Sequence, residues 1–335
     1  MAETPKRHPA TRLSIFNHKG GVGKTTLTIN LAAALGSLGK RVLIVDTDPQ
    51  CNSTSYLVET SVVDDLLEKS ASDEGKTIWS AIQPVAEGFS DYKPVPTIET
   101  GTQGVSLLPG DLQLSDFELE LNQFWTECFQ RRPRGFRGTS AISRLINATC
   151  KKHDIDFVFY DSGPNIGPLN RIVLLDCDFF IVPAACDEFS IRALKTLGRT
   201  LAGWIEEWQT IVGLAPERTY LLPGKPRFLG YIPQKFRMYG GQPSTEFAVF
   251  LPRLEKQINA DIVKVLQRID PSLIADKTGS FRLGQVPDFS GRASTAQRLG
   301  LPVQVVGNVF QNAFARGVFM PIARKIVDRI GLGNG

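Results

Sequence analysis

Short apolar runs bounded by glycine, proline or acid set the pattern of this chain. Arg12–Asn17 (RLSIFN), Arg41–Asp46 (RVLIVD), Val105–Leu108, Asp156–Asp161 (DFVFYD) and Phe179–Pro183 (FFIVP) are too short for core helices. They do not alternate in polarity, which predicts strands buried on both faces. Arg227–Ile232 and Arg282–Val286 are further strand candidates. Helices are predicted between them. Thr25–Leu38 carries the helix formers Ala32–Leu35 and the stop signals Gly36 and Gly39. Asp64–Glu74, Ile78–Ile82, the amphipathic Leu112–Phe124, Ser140–Lys152, Ser190–Trp208 and segments of Pro302–Val327 follow. Trp204 and Trp208, four residues apart, predict a packed helix face. Glu87–Gly104 and the arginine-rich Gln130–Gly138 read as loops. Strand–helix–strand order implies an α/β fold with a mostly parallel central sheet flanked by helices on both faces. Residues 1–11 read as a disordered leader. Residues 12–335 read as one domain with insertions near 83–104, 129–139 and 209–226.

Composition narrows the class. A hydrophobic share of 42% and a charged share of 21% are those of an ordinary globular chain able to bury its own core. The net charge of +4 is too mild to imply nucleic acid, so only local clusters can carry that case. The five cysteines include no C-x-x-C pair, which predicts reduced structural thiols and no intrinsic zinc or iron–sulfur site. The polar start MAETPKRHPATR lacks an apolar signal region, and no apolar run approaches about 18 residues. A cytoplasmic protein without a membrane span is expected.

The chemistry starts at Lys19-Gly20-Gly21-Val22-Gly23-Lys24-Thr25-Thr26, between the first strand and the first helix. Backbone N–H groups of such a turn converge on one point, and the following helix adds its positive end. Gly20, Gly21 and Gly23 let phosphate approach closely. Lys24 can reach β- and γ-phosphates, and the Thr25 hydroxyl can bind Mg²⁺. This is a P-loop NTPase signature, with His18 where the common G-x-x-x-x-G-K-[ST] pattern starts in glycine. Two acidic motifs accompany it. Val45-Asp46-Thr47-Asp48-Pro49-Gln50 places two carboxylates at the carboxyl end of a strand, where α/β sheets bind ligands. Phe157–Asp161 is an apolar strand ending in acid, the Walker B form that holds Mg²⁺ through water beside Thr25.

Together these segments resemble the ParA/MinD family of ATPases, whose deviant Walker A loop reads K-G-G-x-G-K-[ST]-[ST]. The resemblance spans roughly residues 12–330, strong at the three motifs and loose elsewhere. It implies ATP and Mg²⁺ as cofactors and an ATP-induced homodimer in which Lys19 reaches the partner's nucleotide. It also implies that Asp48 positions the hydrolytic water and that Asp46 supports the metal shell with Thr25 and Asp161. In the late segment Gln285–Val303, Pro287 falls where the family approaches adenine. Ser162-Gly163 departs from the family's usual Cys-Pro after the Walker B acid, and Asp288 stands where the family often has arginine.

The family's partners are implied as well: nonspecific DNA, and a ParB-like or other activating protein that stimulates slow hydrolysis. Three basic clusters could meet DNA: residues 131–152, the run Lys225, Arg227, Lys235 and Arg237, and Arg316, Arg324, Lys325 and Arg329. The last fits the family best, because its DNA surface lies late in the chain. Fewer than twenty residues precede the loop, so no operator-reading module is expected there. The glycine-rich end IGLGNG argues against a membrane-binding terminal helix. The function expected is a nucleotide switch in DNA partition or cargo positioning. The alternative is an ATP-dependent assembly protein of a mobile-element or anti-phage system.

Overall fold

The computed structural model describes residues 9–89, 91–276 and 278–331. The elements in chain order are β1 (Thr11–Ile15), α1 (Lys24–Ser37), β2 (Val42–Asp46), α2 (Asn52–Leu57), α3 (Thr60–Glu68), α4 (Ile78–Ala86), β3 (Ile98–Glu99), β4 (Val105–Leu108), α5 (Leu114–Phe129), α6 (Pro133–His153), β5 (Phe157–Asp161), α7 (Pro168–Asp176), β6 (Phe179–Ala185) and α8 (Glu188–Leu214). Then come β7 (Arg227–Phe236), the hairpin β8 (Met238–Tyr239) and β9 (Gln242–Pro243), and α9 (Thr245–Ile258). A π-helical turn (Asn259–Val263) leads into α10 (Lys264–Ile269), followed by β10 (Val286–Pro287), α11 (Gly291–Arg298) and α12 (Val309–Arg329).

Eight strands form one sheet in the order β10-β7-β6-β1-β5-β2-β4-β3, with only β3 antiparallel to its neighbour. The expected mostly parallel sheet is therefore present. Successive strand residues face opposite layers, as the pleat requires. Val158 and Tyr160 of β5 enter the core under α5–α8, while Phe157 and Phe159 enter the core under α1 and α12. This double burial is why the strands read as unbroken apolar runs. On the first face Trp204 packs against Phe16 at 6.0 Å between centroids, and Trp208 stacks on Trp125 at 5.5 Å. A buried ion pair joins Arg12 of β1 to Asp176 of α7 at 2.5 Å, and Tyr160 donates to the same carboxylate.

Several expected elements are corrected. Of Gln130–Gly138 only Gln130–Arg132 form a connection: Pro133 opens α6, where its missing N–H costs nothing. Gly138 lets that helix cross α5, since a Cβ there would sit 2.1 Å from the Phe124 ring. The helix expected at Asp64–Glu74 instead runs Thr60–Glu68, preceded by the unforeseen α2. Arg282–Val286 shrinks to one bridge at Arg282 and the two-residue β10. Helices α9 and α10 occupy a stretch for which no element was predicted. Of the expected leader, residues 1–8 lie outside the described residues, while Ala10 is already buried and Thr11 begins β1.

Candidate nucleotide site

Because β1, β2, β5, β6 and β7 are parallel, their carboxyl ends share one edge of the sheet. The P-loop leaves β1 at that edge and turns into α1 through Gly21 (φ +70°) and Gly23 (φ +83°), a region that side-chain-bearing residues rarely enter. A cleft of about 400 Å³ opens over the loop. Gly21, Val22, Gly23, Lys24, Thr25 and Thr26 form its floor, and Asp48, Asn52, Ser162 and Lys235 stand among its walls. That volume falls within the range of small-molecule sites.

Lys24 is buried, and its ammonium donates to the Asn17 carbonyl at 3.0 Å. Burial lowers its pKa, although Asp161 and Asp48 pull the other way. Asp48 lines the cleft with both oxygens held: Oδ1 accepts from the Gln50 N–H at 2.9 Å and Oδ2 from Asn52 Nδ2 at 2.7 Å. Gly163 presses on this carboxylate, and a Cβ there would lie 3.1 Å from Asp48 Oδ1.

Asp46 and Asp161 pair directly across β2 and β5, which sets two terminal carboxylates side by side. Burial, reinforced for Asp46 by the Asp161 charge, raises their pKa values to about 8 and about 6 respectively. They differ in what they offer. Asp46 does not line the cleft: Oδ2 accepts from the Thr54 N–H at 2.8 Å and hydroxyl at 2.7 Å, and Oδ1 faces the Asp48 N–H at 3.2 Å. In this geometry Asp46 orders the loop carrying Asp48 and stands beside Asp161, one step back from the cleft where a metal would sit. Asp161 Oδ2 accepts from the Ser53 hydroxyl and Thr25 lies near enough to favour its charge, yet its Oδ1 is buried without a hydrogen-bond partner, as is the adjacent Ser162 hydroxyl. Buried acceptors of this kind call for a ligand. Thr25 and Asp161 therefore fit a hydrated Mg²⁺.

Lys19 does not line this cleft. Its ammonium lies 2.6 Å from both oxygens of Asp187 and 3.2 Å from the Ser190 hydroxyl. Asp187 also caps α8, accepting from the Ser190 N–H at 2.8 Å. Sequence reasoning did not find Asp187, because an acid just beyond a strand is an ordinary helix cap. It also missed Asn17, whose Nδ2 donates to the Pro183 carbonyl at 2.8 Å and fixes the start of the loop to β6.

Pro287, the expected base contact, does not line the P-loop cleft; with Phe236, Met238 and Phe314 it lines an apolar cavity beyond β7. Tyr56, Ser294 and Gln297 line the P-loop cleft instead. The basic cluster on α12 is also divided. Arg329 donates to the carbonyls of Leu229 and Ser280 and pairs with Asp276 at 2.7 Å, and Lys325 donates to the Arg282 carbonyl at 2.7 Å. Those two cations anchor α12, while Arg316 and Arg324 are exposed.

The AAA domain family matches residues 10–212. The sporulation initiation inhibitor protein Soj of Bacillus subtilis is 30% identical over 190 residues, covering 56% of this chain and 64% of Soj. The chromosome partitioning protein ParA of Caulobacter vibrioides is 28% identical over 200 residues, covering 58% of this chain and 63% of ParA. The match thus spans less than two thirds of either relative's length. Among solved structures, protein DIP2308 of Corynebacterium diphtheriae is similar with a TM-score of 0.68 at 29% identity, covering 87% of this chain and 97% of that one. The ParA of pNOB8 shares the fold alone, with a TM-score of 0.63 at 20% identity over 96% of this chain and 98% of its own. With the family match covering more than half the chain and the loop, Asp48 and Asp161 gathered at one sheet edge, this protein belongs to the ParA/MinD-type P-loop ATPases.

Proposed function

We propose that the protein is a Mg-ATP-dependent, dimerising ATPase acting as a nucleotide switch in DNA partition or the positioning of another large cargo. One observation carries the reading. Lys19 sits outside its own cleft, held at Asp187, so a cation that suits a phosphate is left for a neighbouring chain.

In this reading the loop N–H groups and Lys24 bind the phosphates, and Thr25 and Asp161 hold Mg²⁺. Bound there, Mg²⁺ neutralises charge on the β- and γ-phosphate oxygens. Asp48 is fixed by Gln50 and Asn52, and from that fixed position it aligns a water with the γ-phosphate. Positioning and charge carry the reaction, with little covalent chemistry from the protein. Slow turnover until an activating partner of the ParB type binds would time the switch. The name of the Caulobacter vibrioides relative, chromosome partitioning protein ParA, supports a DNA cargo. The pNOB8 ParA, a fold relative, has been captured bound to nonspecific DNA. Arg316 and Arg324 are the α12 cations free to meet phosphates in salt-sensitive contacts.

Sizing the protein with ATP, ADP or no nucleotide, with and without nonspecific DNA, tests this reading. ATP should produce dimers, Lys24→Ala should abolish nucleotide binding, and Asp48→Ala should dimerise without turnover. ATP binding that survives Lys24→Ala, or a monomer under all conditions, would overturn it.

A further inference from the structure

The basic run Lys225, Arg227, Lys235 and Arg237 looks continuous in sequence, but the fold disperses it. Lys225 pairs with Asp270 at 3.0 Å, and the Arg227 guanidinium lies 4.1 Å over the Phe179 ring. Lys235 alone of the four lines the P-loop cleft, where Lys24 is the other lining cation.

Consecutive residues at the end of β7 grip the loop. Buried Gln234 donates through Nε2 to the Val22 carbonyl at 2.7 Å, and Lys235 Nζ donates to the Gly21 carbonyl. The Lys235 backbone is left-handed (φ +58°), a conformation that favours glycine. Strained non-glycine residues persist where surrounding structure imposes them, and they cluster at ligand sites.

The strand order places this lysine relative to the carboxylates. Asp48 and Asp161 follow β2 and β5, on one side of β1, whereas Lys235 ends β7, two strands away on the other side. A triphosphate seated in the loop with its γ-phosphate at Asp48 brings its other end to Lys235 when it runs along the sheet edge toward β6 and β7. We propose that Lys235 is a nucleotide-binding residue, its ammonium meeting the α-phosphate and ribose while Lys24 meets the β and γ end. The inference rests on the nucleotide-site reading above. A charged donor gains more from a phosphate oxygen than from the neutral Gly21 carbonyl it now holds. The α-phosphate and ribose belong to ADP and ATP alike, so Lys235 secures both nucleotides equally and takes no part in telling them apart.

Fluorescent ADP and a non-hydrolysed fluorescent ATP analogue, titrated with Mg²⁺ into the full chain, provide the test. Lys235→Gly accepts the left-handed backbone, so its nucleotide-free Tm should hold or rise, separating binding from folding. Lys235→Gln retains a neutral donor for the Gly21 carbonyl. Both variants should weaken both nucleotides about tenfold, the loss of one charged hydrogen bond. Affinities within twofold of wild type would overturn the assignment, as would wild-type affinity in Lys235→Gln or a loss confined to the ATP analogue. If Lys24→Ala loses nucleotide while the Lys235 variants keep it, only the Lys235 assignment fails. If Lys24→Ala binds normally, the nucleotide site itself fails.

Discussion

Asp187→Asn should tighten the ATP-dependent dimer while leaving the fold nearly unchanged. Asp187 has two roles, as counter-ion to Lys19 and as cap of α8. Asparagine caps as well as aspartate, so the bond from the Ser190 N–H and its roughly 1 kcal/mol survive the change. What is lost is the ion pair. Its side chains are 26% and 40% exposed, so water screens it heavily despite the 2.6 Å separation. Exposed pairs of this kind contribute about 0.2–1 kcal/mol. Taking about 0.5 kcal/mol per chain, two chains release about 1 kcal/mol on dimerising, or about fivefold in the dimer dissociation constant. Sedimentation with a non-hydrolysed ATP analogue measures this directly. The gain should shrink between 0.1 M and 0.5 M salt as screening increases, and it should vanish when Lys19→Ala is added. Asp187→Ala should cost about 1 kcal/mol more stability than the asparagine variant, because the cap goes too. An asparagine variant with wild-type Tm and an unchanged or weaker dimer would refute the argument. Partial burial works against the Asp187 charge, but Lys19 and the Ser190 N–H outweigh it and hold its pKa below the usual value. With the folded value depressed, the pair is intact at neutral pH and is lost only as pH falls through that lowered value.

Three further outcomes follow from burial and close approach. Asp161 and Asp46 have folded pKa values raised to about 6 and about 8, so their contribution is full below about 4 and is lost as pH rises through those values. Asp161→Asn should flatten the fall of urea midpoint between about pH 4 and 7, and an unchanged slope would contradict the burial argument. Arg329→Ala leaves the Asp276 carboxylate without its partner in a pair whose side chains are 10% and 7% exposed. A loss of about 3 kcal/mol is expected by chemical denaturation, whereas Arg324→Glu on the exposed face should leave the midpoint nearly unchanged. Gly198→Ala would thrust a Cβ to 1.8 Å from the Asp261 carbonyl of the π-helical turn and should cost more than about 2 kcal/mol. A midpoint within experimental error of wild type would show that α8 and the turn can separate freely.

The sequence made the central strands legible because burial on both faces leaves an unambiguous signature. FVFYD and VLIVD carry no polar residue until the acid that closes them. The loop was legible for a different reason, since close phosphate approach demands glycine at fixed spacing. What escaped notice depends on contacts remote in sequence. Four arginines, a proline and two glycines at 131–138 read as a loop, but Gly135 and Gly138 exist to let α6 lie against α5. Pro252 inside α9 hid a helix whose apolar face, Phe247, Phe250, Leu254 and Ile258, is plain once the fold is known. Charge counting put Arg329 on a binding surface, because nothing local reveals that backbone carbonyls from β7 and Ser280 face it.

The sheet edges have a consequence for assembly. Among the described residues, its outermost strands are Val286–Pro287 and Ile98–Glu99, two residues each, and one of them is half proline. Unpaired strand edges are templates for main-chain pairing, and so short a ladder offers an incoming strand almost nothing. Copies of this chain brought together at high concentration will therefore not zip into a continuous sheet. Any association between copies is left to side chains, whose charge and shape a bound ligand can reset.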